Sequence, residues 1–381
     1  MNFWQSLSQP IIGLAPMDGV TDAAFRFIVA QQGGADVSFT EFTSVGDLCR
    51  GPEFLLSSLL YSELERPVIA QLYGKDPALF YLAAHIVCEL GFNGLDINMG
   101  CPSRNVAASG SGAGLIRTPD LAHEIIRAAR QGIVDWAAGQ SLVEAGLKPA
   151  RADLIHAMNI KRTGTASVPR GPIPLSVKTR IGYDSVIIEP WIAHLLEERP
   201  AAITVHGRTL EQMYRGHADW SAIARAAGLA RQTDTLLLGN GDLQSMQDVM
   251  GRVQESRVHG VLIGRGALGS PWVFQANTAV RLAYRTGSLS AAEPEMPLAE
   301  RFDVMLDHAR HFETIFGQAR FPRMRKHLGW YVKGFPGAAM MRSAMVRTCS
   351  SKDVERLVSS YWADQENVQP SPEKLVVQTQ T

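Results

Sequence analysis

Short apolar runs recur along the chain, and each is followed by a segment whose apolar positions have helical spacing. The eight runs begin at Ile11, Val37, Val68, Leu95, Leu175, Ala202, Leu236 and Gly260. Because they are continuously apolar rather than alternating, they predict strands buried on both faces, and the strand-helix alternation predicts parallel pairing. Eight such units favour an α/β TIM barrel, with a doubly wound open sheet as the alternative.

The segments between the runs contain recognisable helix starts. We predict three of them, at Thr118, Asp219 and Asp242. The first is followed by Pro119 and by apolar residues such as Ile125 and Ile126 on one face, which should pack outside the barrel.

Residues 136–170 interrupt this alternation between the fourth helix and the fifth strand. We interpret them as an insertion in which residues 152–160 form a short helix. Its lysine and arginine content leaves two interpretations open, a solvated excursion or an additional loop that contacts RNA.

The pattern changes again after residues 269–271. AAEPEMP at Ala291 predicts a linker, and residues 298–362 predict helices without strands. We therefore expect a barrel domain over residues 1–290, a small all-helical C-terminal domain over 298–362, and a disordered tail over 363–381.

Composition narrows the class of protein. With 46% hydrophobic and 19% charged residues, the chain fits a soluble globular enzyme. Lysine plus arginine equals aspartate plus glutamate at 37 each, so a nucleic-acid surface would have to be a local patch. No stretch reaches the roughly 18 apolar residues of a membrane span, and no basic residue precedes the first apolar run. We expect a cytoplasmic protein.

The four cysteines are widely spaced and form no CxxC pair. Neither a disulfide framework nor a metal site is therefore expected. Cys49 and Cys88 suit packing positions in helices, and Cys349 lies outside the predicted barrel. Cys101, in DINMGCPSR after the fourth strand, has no evident structural purpose.

Active sites of TIM barrels lie at the carboxyl ends of the strands, and here these ends are polar. The residues concerned are Met17, Glu41, Gln71, Asn98, Cys101, Lys178, His206, Arg208, Asn240, Gly264 and Arg265. A lysine at a barrel mouth is expected to meet an anionic ligand or a carboxylate. The glycine turns after strands seven and eight suit a phosphate, and an arginine there fits a phosphate well. Together they predict one pocket for a phosphorylated cofactor.

Cys101 would lie beside that pocket. An ordinary cysteine has a pKa of about 8.5, so its thiol is mostly protonated at neutral pH and can serve as a general acid. A nucleophilic role remains open, because spatial neighbours cannot be deduced from the sequence. SGSGAG at Ser109 resembles a dinucleotide fingerprint only superficially, since the preceding loop and the following spacing do not match.

With these residues assembled, the chain resembles the tRNA-dihydrouridine synthase family, flavoenzymes that reduce a uracil ring in transfer RNA. The resemblance runs from Ile11 to about Trp362. Its motifs are LAPMDGVTDAAFR at Leu14, DINMGCPSRNV at Asp96, SVKTRIGYD at Ser176, TVHGRTLEQMYRGHADW at Thr204, GNGDL at Gly239, and GVLIGRGALGSPWVF at Gly260.

The resemblance implies a flavin mononucleotide (FMN) in the barrel, reduced by NADPH or by NADH. The residues it places around FMN are Pro16, Met17, Asp18, Gln71, Asn98, Lys178, His206, Asn240, Gly241, Asp242, Gly264 and Arg265. Cys101 would give a proton to C5 of uracil after hydride transfer from the flavin to C6. A monomer is expected.

The resemblance also implies an RNA-binding helical domain, for which the sequence offers a local basic patch. The residues predicted to contact RNA are Arg104, Arg208, Arg320, Arg323, Arg325, Lys326 and Lys333, and Arg342 and Arg347 extend the patch. Residues 319–347 contain no aspartate or glutamate. The alternatives are a solvated helical face and, for the whole protein, a flavin barrel that acts on a free small molecule such as a pyrimidine.

Overall fold

The computed structural model describes residues 2–287 and 295–368, with the backbone alone for Arg104 and residues 366–368. Within these ranges the chain divides into two compact units. The first comprises residues 2–267 and 272–287, and the second residues 268–271 and 295–368. The linker predicted at Ala291 lies outside the described residues.

The first unit contains a sheet of nine parallel strands that closes on itself, because β2 pairs with both β1 and β4. The strands are β1 (Ile11–Leu14), β2 (Ser38–Phe39), β3 (Thr43–Ser44), β4 (Val68–Tyr73), β5 (Gly94–Met99), β6 (Leu175–Arg180), β7 (Ala202–His206), β8 (Leu236–Asn240) and β9 (Gly260–Ile263). Both β2 and β3 pair with β4; β2 lies in the predicted run that begins at Val37, whereas β3 is a further short strand that the sequence did not predict. The TIM barrel prediction is confirmed, and the open sheet is excluded.

Side chains along the strands alternate between the barrel interior and the surrounding helices, as the two-residue period of a strand requires. Ile12 and Leu14 pack outward into the large core beneath the helices. Ile11, Ile69 and Leu238 belong to a separate interior cluster. Toward the carboxyl ends of the strands, which we call the mouth, the interior positions become polar.

Helices surround the barrel. They are α1 (Ala23–Gln31), α2 (Val45–Arg50), α3 (Pro77–Glu89), α4 (Arg104–Ala108), α5 (Pro119–Ala137), α6 (Pro149–Thr163), α7 (Ile188–Glu197), α8 (Trp220–Ala230), α9 (Met246–Ser256) and α10 (Asn277–Thr286). The predicted starts of α5 and α8 are confirmed, and Asp219 caps α8 by accepting from the Ala222 N–H. The start predicted near Asp242 is wrong: α9 begins at Met246 with Ser245 as its cap. Among the residues that the structure describes, no helix has the length and the apolar composition of a membrane span.

The predicted insertion contains α6, which is longer than the sequence predicted. The guanidinium of Arg151 is buried and donates to the carbonyl oxygens of Asp47 and Leu48 at the end of α2. The buried amide of Asn159 donates to the Glu89 carbonyl at the end of α3. These bonds satisfy helix-end carbonyls that would otherwise need water. The segment is therefore packed against the barrel helices and is not a solvated excursion.

The described part of the second unit consists of helices without strands, as predicted. They are α11 (Leu298–Phe316), α12 (Arg325–Tyr331), α13 (Ala338–Met345) and α14 (Ser351–Val368). The last helix extends into the range predicted as a tail, and residues from 369 onward lie outside the described residues.

Two fully buried histidines, His308 and His327, lie in contact in the core of this unit, 4.8 Å between ring centroids. Burial lowers the pKa of His308 to about 3 and holds the pKa of His327 well below its ordinary value. Below about pH 6.5 the unfolded chain takes up protons that the folded chain does not, so stability falls as the pH falls.

The expected loss is about 1.4 kcal/mol per pH unit for each histidine. His308→Gln should reduce this slope, which urea unfolding at pH 7.5, 6.0 and 5.5 would measure by circular dichroism. An unchanged slope in the variant would contradict the assignment.

Candidate active site at the mouth of the barrel

The register of the strands brings the predicted polar residues together at the mouth. Asn98 on β5 lies opposite Lys178 on β6, and His206 on β7 lies opposite Asn240 on β8. Arg180, two residues beyond Lys178, lies opposite His206. One wall of the mouth is therefore continuous from β5 to β8.

Beneath this wall, a chain of hydrogen bonds crosses the barrel interior. The carboxylate of Asp96 accepts from the Ser176 hydroxyl at 2.6 Å and from the Gln71 amide nitrogen at 2.8 Å. The Gln71 oxygen accepts from the Asn98 amide nitrogen at 3.0 Å. Gln71 is 0% exposed, and both ends of its amide are engaged within this chain of bonds; its predicted contact with a cofactor stays a prediction.

The loop that carries Cys101 is held from two sides. The Asn98 side-chain oxygen accepts from the N–H groups of Gly100 and Cys101 at 3.0 and 2.8 Å. From the other side, the Arg180 guanidinium donates to the Gly100 carbonyl at 2.7 Å and to the Thr209 carbonyl at 2.9 Å. The thiol-bearing residue is thus fixed relative to strands β5, β6 and β7.

Cys101 is 6% exposed, and burial raises the pKa of its thiol. Asp18, Arg180 and Lys178 are close enough for their charges to influence that pKa as well. These residues follow or close strands β1 and β6, so the sulfur lies at the mouth. The raised pKa keeps the thiol protonated at neutral pH, as a general acid must be.

The SGSGAG segment supports this loop from behind. Gly112 has a φ of +57°, and a Cβ atom there would lie 3.1 Å from the Cys101 Cβ and 3.0 Å from Val106. Only glycine combines this backbone conformation with so close an approach. Gly112 therefore shapes the Cys101 loop, which gives this glycine a structural role.

Lys178 and Asn240 meet at the wall of the mouth. The Lys178 ammonium donates to the Asn240 side-chain oxygen at 3.3 Å, and the Asn240 nitrogen donates to the Leu262 carbonyl at 2.8 Å. Burial, with a contribution from Arg180, lowers the pKa of Lys178 to about 8. The lysine remains mostly charged at neutral pH and titrates just above it.

Next to Asn240, Asp242 links two arginines. Its carboxylate accepts two hydrogen bonds from Arg208, at 2.9 and 2.8 Å, and one from Arg265 at 3.0 Å. It also accepts from the Ala218 N–H at 2.8 Å. Burial acts to raise the pKa of Asp242, but these bonds hold it below its ordinary value.

This arrangement bears on two sequence predictions. Arg208 is 2% exposed and also donates to the Gly216 carbonyl, so its guanidinium is engaged within the chain. The Asp242 carboxylate is engaged by arginines and positions them; the predicted contacts of Arg208 with RNA and of Asp242 with a cofactor stay predictions. Arg265 remains exposed and available.

The charge around His206 indicates which ligand the mouth suits. The pKa of this imidazole is lowered well below its ordinary value by burial and by four cations, Arg180, Lys178, Arg208 and Arg265. Asp242 is the carboxylate bonded within this group. These partly buried side chains carry more positive than negative charge, so the mouth is suited to bind an anion.

The turns after β8 and β9 lie close to their neighbours. Gly241 has a φ of +129°, and a Cβ atom there would lie 2.7 Å from Ala218 and 3.1 Å from the His206 ring. A Cβ on Gly264 would touch the Met17 sulfur at 3.4 Å. Pro16 and Met17 are half-buried, and Asp18 is exposed. The predicted FMN residues of β1, β8 and β9 thus converge.

The sequence analysis does not identify Arg180 as a site residue, and it names Glu41 without giving it a role. Arg180 could have been found from the two-residue period, which places it on the same face of β6 as Lys178. Glu41 accepts from the Gly19 N–H at 2.5 Å, and burial followed by the charge of Asp22 raises its pKa to about 7. No local pattern marks such a shift.

The second unit carries the predicted basic surface, which we define as Arg320, Arg323, Arg325, Lys326, Lys333, Arg342 and Arg347. Five members are exposed, whereas Arg320 and Arg325 are half-buried. Arg325 also donates to the Thr348 carbonyl at 2.8 Å, so it has a structural role as well. For Arg104, at the start of α4, the structure does not describe the side chain.

One group of side chains in the described residues comes close enough to be considered as a metal site. Ligand atoms of His123, His194 and Glu197 lie within 4.8 Å of one another. The two imidazole rings are stacked 3.6 Å apart with 3° between their planes. Because the lone pair of an imidazole nitrogen lies in the plane of its ring, lone pairs from two stacked rings do not point to one metal ion. We do not regard this group as a metal centre.

Fold and site together define a TIM barrel with a cationic mouth and a buried, protonated thiol. A family model described as dihydrouridine synthase matches residues 13–135 and 151–366. The chain therefore belongs to the dihydrouridine synthase family. Residues 136–150, within the predicted insertion, lie between the two matched ranges.

Relatives extend over nearly the whole chain. "Probable tRNA-dihydrouridine synthase 2" of Bacillus subtilis (strain 168) is 32% identical over 368 residues, 94% of this chain and 96% of that protein. A "Probable tRNA-dihydrouridine synthase" of Staphylococcus epidermidis is 30% identical over 367 residues, 95% of this chain and 97% of that protein. Among solved structures, morphinone reductase gives a TM-score of 0.43 at 11% identity over 77% of this chain and 90% of that one, too distant to bear on function.

Proposed function

We propose that this protein reduces uridine in tRNA to 5,6-dihydrouridine, with FMN in the barrel and NADPH as the reductant. The observation that supports it best is the fixed position of a protonated thiol, Cys101, beside a mouth of positive charge. Family membership and the tRNA-dihydrouridine synthases among the relatives support the substrate.

The residues present fit FMN. Its phosphate carries negative charge, which suits exposed Arg265 and the backbone of the glycine turns at Gly241 and Gly264. Met17 would line the ring from β1, and Lys178, which donates to Asn240, would contact the ring. When bound, FMN would supply the hydride that reduces C6 of uracil.

The side chains of the mouth would then perform three tasks. Lys178 and its neighbouring cations would stabilise negative charge on the reduced ring and on the uracil carbonyl. Asn98 and Arg180 would keep the Cys101 loop in place. Cys101 would give its proton to C5 of uracil, and the resulting thiolate would regain a proton from solvent.

The basic surface would bind the phosphate backbone of tRNA, and the target base would leave its stack to enter the mouth. The function is tested by incubating purified protein with NADPH and either tRNA transcript, free uridine or free uracil. Dihydrouridine formed in tRNA alone is expected. Reduction of the free pyrimidine at a comparable rate would favour the small-molecule alternative instead.

Reversing charge on the basic surface tests tRNA binding. Arg323→Glu combined with Lys333→Glu should weaken binding and lower the slope of log Kd against log salt by about 2, one for each lost phosphate contact. NADPH oxidation should not change, because both residues lie outside the barrel unit.

The matched control is Arg231→Glu combined with Arg285→Glu, which makes the same charge change at exposed positions of the barrel unit, at the end of α8 and on α10, outside the insertion. Equal weakening by both pairs would mean that net charge alone determines binding. Unchanged binding in the first pair would exclude the basic surface as the tRNA site.

A further inference from the structure

We infer that Asp96 is a positioning residue for Cys101: its carboxylate fixes the orientation of the Gln71 and Asn98 amides and thereby holds the loop that presents the thiol. The inference deepens the proposed function, on which its kinetic readout depends. A second readout, the chemical reactivity of the Cys101 thiol, does not depend on that function.

The chain of donors and acceptors has a definite direction. An ionised carboxylate can only accept hydrogen bonds, so it requires the NH₂ end of Gln71 to face it, at 2.8 Å. The oxygen of Gln71 must then face Asn98, whose NH₂ group donates to it at 3.0 Å. The oxygen of Asn98 is thereby directed to the N–H groups of Gly100 and Cys101.

Reversing any amide in this chain would disconnect the loop. If the amide of Gln71 rotated by 180°, its NH₂ group would face the NH₂ group of Asn98. Two donors cannot bond to each other, so the Asn98 amide would have to rotate as well or lose this bond. A reversed Asn98 would present NH₂ to the two N–H groups of the loop, a contact between donors. Asp96, Gln71 and Asn98 are at most 6% exposed, so water is a poor substitute for a lost bond.

Asp96 can keep this role at neutral pH because it is ionised there. Burial raises the pKa of Asp96 to about 6, while the bonds from Ser176 and Gln71 and the charge of Lys178 act to lower it. A carboxylate is otherwise unexpected at a position that is 0% exposed, and its removal from water costs free energy. Orienting the chain accounts for its presence.

The test uses Asp96→Asn, Ser176→Ala and their combination. In Asp96→Asn alone, the new amide can keep its oxygen toward Gln71 while its NH₂ group donates to Ser176, so the native direction survives in part. Ser176→Ala alone leaves the carboxylate facing Gln71. In the double variant, the methyl group at position 176 offers the NH₂ group no acceptor, so the new amide should turn its NH₂ group to Gln71 and reverse the chain.

The readout is alkylation of Cys101 by iodoacetamide, resolved by peptide mass spectrometry, with the exposed thiol of Cys349 as an internal control. We expect each single variant to stay within about twofold of the native rate and the double variant to react about tenfold faster, because only the reversed chain takes the Asn98 oxygen away from the N–H groups of the loop. Uridine reduction should fall in parallel, whereas Cys349 should react equally in all.

The inference is overturned if the increase in the Cys101 alkylation rate in the double variant is no larger than the product of the increases in the two single variants. Should the double variant not fold, Gln71→Met breaks the same chain at its middle and must also accelerate alkylation of Cys101; an unchanged rate there overturns the inference equally. Failure of the native protein to reduce tRNA would count against the proposed function only, since the alkylation result would still stand.

Discussion

Cys101→Ala should lower the rate of dihydrouridine formation by about 10² to 10⁴, the usual contribution of a positioned general acid. FMN content and NADPH oxidation should stay near native levels, because Cys101 is proposed to give its proton to the substrate and is not among the residues proposed to hold the cofactor. The measurement is a single-turnover assay in which enzyme reduced beforehand is mixed with tRNA and the nucleosides are quantified.

Two further variants serve as controls for this experiment. Cys88→Ala changes another buried cysteine, on α3, and should leave the rate unchanged. Cys101→Ser should be slow as well, because a hydroxyl is a far weaker acid than a thiol. Product formation at the native rate in Cys101→Ala would remove the acid assignment.

Lys178→Met should slow the reduction of bound flavin by NADPH about 10²-fold, in the range found when one group that stabilises developing charge is removed. Methionine keeps most of the volume of the lysine stem but carries no charge. Because burial lowers the pKa of Lys178 to about 8, the native rate should also decline as the pH rises through that value.

The pH dependence separates a charge effect from a packing effect. The decline near pH 8 should be absent from Lys178→Met and retained in Lys161→Met, which alters an exposed lysine on α6. A decline of the same size in Lys178→Met would mean that another group is responsible. Stopped-flow absorbance of the flavin would follow both.

The order of strands and helices could be predicted because a parallel barrel buries both faces of each strand. Continuous apolar runs such as those at Val68 and Leu236 therefore mark strands directly. The start of α9 could not be located, because Asp242 resembles a helix cap in sequence but uses its carboxylate to bind Arg208 and Arg265. Ser245 takes the capping position instead.

Part of the candidate site could be predicted as well, because it follows from the positions of the strands. Residues at the carboxyl ends of strands meet in any such barrel, so Asn98, Lys178 and His206 could be grouped from their positions alone. The burial of a side chain near the mouth depends on the surrounding loops, whose course cannot be predicted from the pattern of strands. The sequence therefore does not show that Arg208 is 2% exposed, and the link from Asp96 to Gln71 depends on the register between β4 and β5, which the strand pattern does not give.

The most direct measurement compares the mass of one tRNA before and after the reaction. An unmodified transcript is incubated with purified protein, FMN and NADPH, digested to nucleosides and examined by mass spectrometry. We predict a nucleoside heavier than uridine by two hydrogens, formed by the native protein and not by Cys101→Ala. A protein that binds FMN and oxidises NADPH but leaves the uridines of its host's unmodified tRNAs unchanged would contradict the proposed function.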